Sequence, residues 1–86
     1  MIRKGQIVTN PTRTWFGVFN RWYNGIVGKS AHWSYCLDPQ GHFYKMKDFE
    51  TLSGALPTTK LEQDKFKKAA LKAGYSYHRG KMIKEL

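Results

Sequence analysis

His32, Cys36, His42 and His78 are the side chains in this sequence best suited to metal ligation or proton transfer. A zinc site needs several soft donors converging on one point, and the intervals between these four match no finger or ribbon spacing. His32 and Cys36 fall on one face of an extended segment with only His78 in prospect as a further ligand, so no metal centre is expected. Phosphoryl chemistry of the ribonuclease kind would use His78 or His32 as general base with Lys or Arg at the phosphate. Neither a carboxylate pair nor a nucleophile elbow accompanies them. Gly25-Ile26-Val27-Gly28-Lys29-Ser30 ends as a phosphate-binding loop ends, but two residues separate its glycines where four are required. The expectation is a protein without catalysis and without a cofactor.

The constellation that does carry chemistry is cations interleaved with aromatic rings: Arg21-Trp22-Tyr23, Tyr44-Lys45, and the run from Tyr75 to Lys81. Lys and Arg neutralise phosphates, and ring faces stack on bases without demanding one sequence. Trp22, Tyr23, Tyr75 and Tyr77 are the candidate stacking residues. Arg13, Arg21, Lys29, Lys45 and Lys47 are candidate phosphate contacts, joined by Lys65, Lys68 and Lys72 on a helix and by Arg79 and Lys81 in the tail. Unstacked bases suit such a surface better than a duplex does, which points to RNA or single strands.

Charge placement agrees with that reading. The chain has 86 residues and a formal net charge of +9, from 15 Lys and Arg against 6 Asp and Glu. Residues 1–37 contribute +5 without a single acid, 38–57 contribute −1, and 58–86 contribute +5. Two basic lobes flank a nearly neutral middle, a field that favours polyanions: nucleic acid or an acidic protein surface. Thirteen Trp, Tyr and Phe equal the number of Ile, Leu and Val, more rings than a small core hides. A chain this short is expected to be a single domain without a deep preformed cavity. The lone Cys36 cannot form an internal disulfide, so packing must stabilise the fold. With no apolar run of membrane-spanning length and no secretory leader after Met1-Ile2-Arg3-Lys4-Gly5, a soluble, cytoplasmic protein is expected.

The elements that must position these residues read as follows. Gly5 to Asn10 forms a short strand stopped by Pro11, and a second strand runs from about Thr14 to Tyr23. Asn24-Gly25 is the preferred dipeptide of a tight hairpin turn, with Ile26 and Val27 pairing back. In the third strand, alternation puts Ala31, Trp33, Tyr35 and Leu37 on one face and His32, Ser34 and Cys36 on the other. Asp38-Pro39-Gln40-Gly41 is a turn into a strand from His42 to Lys47. A bulged turn places Leu37 opposite Phe43, Tyr35 opposite Lys45 and Trp33 opposite Lys47; a two-residue loop pairs Trp33 with Met46 and Tyr35 with Tyr44. Turn chemistry supports the first and hydrophobic patterning the second, and the sequence leaves both open. Asp48 to Leu52 reads as a helical turn or a last strand, and Ser53 to Pro57 as a linker. A helix from about Lys60 to Ala73 is capped by Thr58 or Thr59, the latter in capping-box spacing with Glu62, and is stopped by Gly74; Phe66, Ala69, Ala70 and Ala73 form its apolar face. The tail 75–86 alternates and can return as a strand.

In the order of Lys4-Gly5-Gln6-Ile7-Val8, an aromatic segment, the Asp38-Pro39-Gln40-Gly41 hairpin and Lys45 to Leu52, residues 4–52 resemble SH3-like small β-barrels. That resemblance implies an α+β domain: a small antiparallel barrel or curled sheet, with a C-terminal helix at 58–74 and a tail departing from the simple barrel. Such barrels bind RNA, DNA or peptides, so function stays open. In size, basicity and aromatic content the chain is also similar to small accessory proteins of tailed phages, some of which block host defence systems or toxin nucleases. This second resemblance implies a stoichiometric, non-catalytic binder working in the host cytoplasm. Two functions are thus expected: a module binding RNA or single strands, or an inhibitor docking on an acidic protein such as a nuclease, with RNA as a possible bridge.

Overall fold

The computed structural model describes residues 1–25 and 28–85. Seven strands and one helix follow in the order β1 (Ile7–Thr9), β2 (Phe16–Gly25), β3 (Gly28–Leu37), β4 (Phe43–Lys45), β5 (Leu56–Pro57), α1 (Lys60–Lys72), β6 (Tyr75–His78) and β7 (Lys81–Lys84). The first five build one antiparallel sheet in the order β4-β3-β2-β1-β5, and the last two form a separate hairpin. The fold is α+β, as the sequence implies.

β2 and β3 dominate the sheet, and their pairing is interrupted twice. Val18 faces Tyr35, Phe19 faces Trp33 and Arg21 faces His32, so Ser34 and Asn20 are each passed over. A bulge turns the chain so that strict alternation fails on either side of it. The expected single face of β3 is therefore corrected. Trp33 and Ala31 pack with Cys36, Val8, Phe19 and Met46, whereas Tyr35 and Leu37 pack with Ile7, Phe16, Val18 and Phe66 on the opposite side. Two cores result from one sheet. The second is covered by α1 and by the β6–β7 hairpin, through Phe66, Tyr77 and Met82.

The turn after β3 settles the register that the sequence left open. Leu37 faces Phe43 and Tyr35 faces Lys45, the bulged alternative. Gly41 has φ +88, the left-handed position that a bulge residue occupies, and the Asp38 carboxylate accepts from the Gln40 and His42 backbone N–H groups. Met46 nevertheless reaches the core beside Trp33, because the bulge at Ser34 has moved Trp33 to that side. Turn chemistry and hydrophobic burial are thereby both satisfied.

Asn24-Gly25 is not the hairpin turn. Asn24 lies opposite Lys29 and Gly25 opposite Gly28, inside the ladder. The pairing expected of Ile26 and Val27 falls outside the described residues. At 48–52 a single hydrogen-bonded turn forms, Glu50 N–H to Lys47 O at 3.0 Å, without a helix or a full strand, and Leu52 makes an isolated two-bond bridge to Ala31. The expected linker then supplies β5, which pairs Leu56 with Thr9 and Pro57 with Val8. Four residues of chain thus connect a bridge on β3 to a ladder on β1, a reach of about 14 Å at most, so the sheet bends strongly there.

α1 begins with the expected capping box, Glu62 N–H to Thr59 Oγ1 and Thr59 N–H to Glu62 Oε1. Phe66 and Ala70 are buried and Ala69 half-buried, but Ala73 is exposed and lies outside the apolar face. The tail makes two strands rather than one. Arg79 and Gly80 connect them with φ of 46 and 85, the positive pair that a tight two-residue hairpin requires. Gly80 sits against Gly5, where a Cβ on Gly5 would stand 2.5 Å from the Gly80 carbonyl oxygen, and the Tyr77 hydroxyl donates to Gly5 O at 2.5 Å.

Gly17 is the tightest position in the sheet. An added Cβ would stand 2.4 Å from both Trp33 Cε3 and the Tyr35 carbonyl oxygen. Gly17→Ala is expected to lower stability by about 1–3 kcal/mol, the usual range for overpacking, read as a reduced urea midpoint. An unchanged midpoint would contradict this packing.

Candidate nucleic-acid interface

Among the described residues, one Lys or Arg pairs with a carboxylate, Arg13 with Glu62. Cations lie over rings instead. Arg21 stands 4.8 Å from the Tyr23 centroid, Lys29 4.7 Å from Trp22, and Lys47 6.0 Å from Phe49. Two further pairs, Lys65 with Phe16 and Lys67 with Tyr77, flank α1. A cation held over a ring keeps its charge facing water and its stem over apolar surface.

The first three pairs share one end of the molecule, built by the far ends of β2 and β3 and by residues 45–51. Past the bulge at Asn20, alternation puts Arg21 and Tyr23 on one face of the ribbon and Trp22 on the other, against Phe19 at 5.2 Å. Tyr23 accepts a hydrogen bond from Arg21 and donates one to Asp48 O at 3.3 Å. That link joins the ribbon to the 45–51 segment. Tyr23, Asp48, Phe49 and Thr51 line an open hollow of about 400 Å³. A neighbouring one of about 460 Å³ adds Lys45, Met46 and Lys47 around the same Asp48 and Phe49.

His32 anchors this end from beneath. Its Nε2 lies 3.0 Å from Lys47 O, its Nδ1 lies 2.9 Å from Asn20 Nδ2, and Tyr23 meets it edge-on. Both ring nitrogens are committed to positioning the 45–51 segment on β2. Cys36 belongs to the Trp33 core instead, and burial pushes its thiol up to about 11. It stays a neutral thiol at physiological pH.

Of the candidate residues, Arg21, Tyr23, Lys45 and Lys47 border the 45–51 segment on one face of this end, and Trp22 and Lys29 pair on the opposite face of the ribbon. Phe49 joins the first group, 80% exposed, though sequence reasoning passed over it. The signal was present in Lys47-Asp48-Phe49, the same interleaving as at Arg21, but the segment reads as a structural turn. Lys65, Lys68 and Lys72 lie elsewhere, on α1, bordering grooves floored by Phe16 and Leu37. Phe16 is seven residues from Tyr23 along β2, roughly 23 Å at the strand rise. Tyr75 is packed against Tyr35 and Phe43 at 5.2 and 5.6 Å, and Tyr77 is docked on Gly5, so both rings serve the fold. Arg79 and Lys81 are exposed at the turn of the β6–β7 hairpin.

Arg13 also serves the fold. With φ 58 it closes the 10–13 turn and reaches α1, donating to Glu62 Oε2 at 2.9 Å, to Glu62 Oε1 at 2.6 Å and to Pro57 O at 3.1 Å. The guanidinium hydrogen bonds, with that from Thr59 N–H, hold the Glu62 carboxyl down to about 2. A depressed carboxyl adds stability that is complete above its unfolded value, near 4.5, and is lost as pH falls toward 2. Glu62→Gln keeps the capping geometry and removes the charge. Its urea midpoint is expected below the parent's at neutral pH, with the gap closing between about pH 4.5 and 2; a gap independent of pH would contradict the pairing.

No protein-family model matches this sequence, and neither the curated proteins nor the solved structures contain a match, so the function rests on the residues themselves.

Proposed function

We propose that the protein is a small, non-catalytic module that binds single-stranded nucleic acid, RNA in preference, at the end formed by Arg21, Trp22, Tyr23, Lys29, Lys45, Lys47 and Phe49. One observation carries this reading: at the tip of the β2–β3 ribbon two cation and ring pairs, Arg21 with Tyr23 and Lys47 with Phe49, adjoin on one face with Phe49 largely in water, and a third, Lys29 with Trp22, stands on the opposite face with Trp22 37% exposed. The exposed Phe49 ring offers a face on which a base can stack while the adjacent Lys47 meets the phosphate. The hollows flanking Phe49 are open and shallow, suited to a splayed base and too shallow to enclose a small molecule.

We read the sheet as an SH3-like small barrel. Supporting this are the order β4-β3-β2-β1-β5, the short step from Leu52 on β3 to Leu56 on β1, and the bulges that bend β2 and β3. In this reading the site lies at one mouth of the barrel, with the remaining cations, Lys65, Lys68, Lys72, Arg79 and Lys81 among them, contributing a field that draws a polyanion in.

The test is fluorescence anisotropy with a labelled single-stranded RNA of about fifteen nucleotides across a salt series. With Arg21, Lys29, Lys45 and Lys47 each meeting one phosphate, log K is expected to fall against log salt with a slope of about −3. Phe49→Ala is expected to weaken binding by about 1–3 kcal/mol, the range for one stacked base, while leaving the melting temperature unchanged. A flat salt dependence, or parental affinity in Phe49→Ala, would overturn the assignment.

A further inference from the structure

We propose that the outer side of α1 is a second docking surface, for an acidic amphipathic helix of a partner protein. Lys65, Lys68 and Lys72 recur at i, i+3 and i+7, a spacing that aligns them along one line of the helix. They border two adjoining grooves of about 520 and 620 Å³, which share Lys65 and Lys68. Phe16, Leu37 and Ala69 form the apolar floor. Leu61 and Leu71, 81% and 61% exposed, stand toward the two ends.

This chemistry differs from that of the Phe49 end. The large apolar side chains left in water on α1 are aliphatic, and the one nearby ring, Phe16, is buried beneath Lys65. Bases need a ring or guanidinium face for stacking, and leucine offers none. Leucines bracketing a line of lysines complement apolar side chains bracketing a line of carboxylates. Of the two acids on the lining, Glu62 is neutralised by Arg13 and only Asp64 offsets the three lysines. Leu61 and Leu71 are ten residues apart, about 15 Å at the helical rise, which an antiparallel helix of about three turns spans with glutamates at matching intervals.

The test uses isotope-labelled protein titrated with a synthetic peptide of about eighteen residues, carrying Glu at i, i+3 and i+7 between leucines, and with a scrambled peptide of the same composition. Saturable amide shifts are expected at Gly41, Lys65, Lys68 and Leu71, leaving Trp22 and Phe49 unmoved. Lys68→Glu and Leu61→Ser are each expected to weaken the peptide by about tenfold, with parental melting temperatures because both side chains face solvent. Equal binding of the scrambled peptide, shifts confined to the Phe49 end, an unaffected Leu61→Ser variant, or a single-stranded RNA that moves the α1 resonances with the same sensitivity to both substitutions would each overturn the proposal. The nucleic-acid reading stands or falls separately, on Phe49.

Discussion

The indole of Trp33 lies against the bare backbone of Gly17, and the arrangement of the sheet follows from giving it that place. Trp33 is the largest fully buried side chain of the first core, and its ring fits because β2 has no Cβ at Gly17, two residues along from Phe19, the residue that pairs with Trp33. To reach this side, β3 must break its alternation at Ser34, since Tyr35 and Leu37 are needed on the other side to meet Phe66. The second bulge, at Asn20, returns the ladder to one-to-one pairing and sets which side chains emerge at its far end. Arg21 and Tyr23 then point toward the 45–51 segment, while Trp22 stays beside Phe19 and Lys29. The placement of the exposed rings is therefore a consequence of how the core is filled.

Electrostatics and packing divide the cations between two tasks. Arg13 and its pairing with Glu62 fasten the 10–13 turn to the start of α1, a structural use that charge counting alone does not distinguish from binding. The cations at Tyr23, Trp22 and Phe49 have rings for neighbours, which leaves their charge available to a ligand. On α1 the lysines have leucines for company. The same residue type thus marks two chemistries, according to what apolar group stands beside it.

Much of this was legible in the residues. The capping box at Thr59 and Glu62, the stop at Gly74 and the Asp38-Pro39-Gln40-Gly41 turn are local signals, decided by hydrogen bonds within a few residues, and each forms as read. The faces of β3 were not legible, because a bulge depends on what the strand packs against, and Gly17, which makes room for the Trp33 ring, is sixteen positions from it in the chain. For the same reason Asn24-Gly25, a strong local turn signal, yields to the longer β2–β3 ladder. Tyr75 and Tyr77 look like stacking residues until the hairpin folds back on Tyr35, Phe43 and Gly5. Phe49 was overlooked because its segment carries turn residues, and only the link from Tyr23 to Asp48 brings it beside Arg21.

The central claim is that the ring and cation pairs at the Phe49 end hold single-stranded nucleic acid. The most direct measurement is the ratio of nucleic-acid to protein absorbance for the protein purified in low salt, taken before and after nuclease treatment and a high-salt wash. The account predicts a high initial ratio that collapses to a protein value on treatment. A protein value from the start would contradict it.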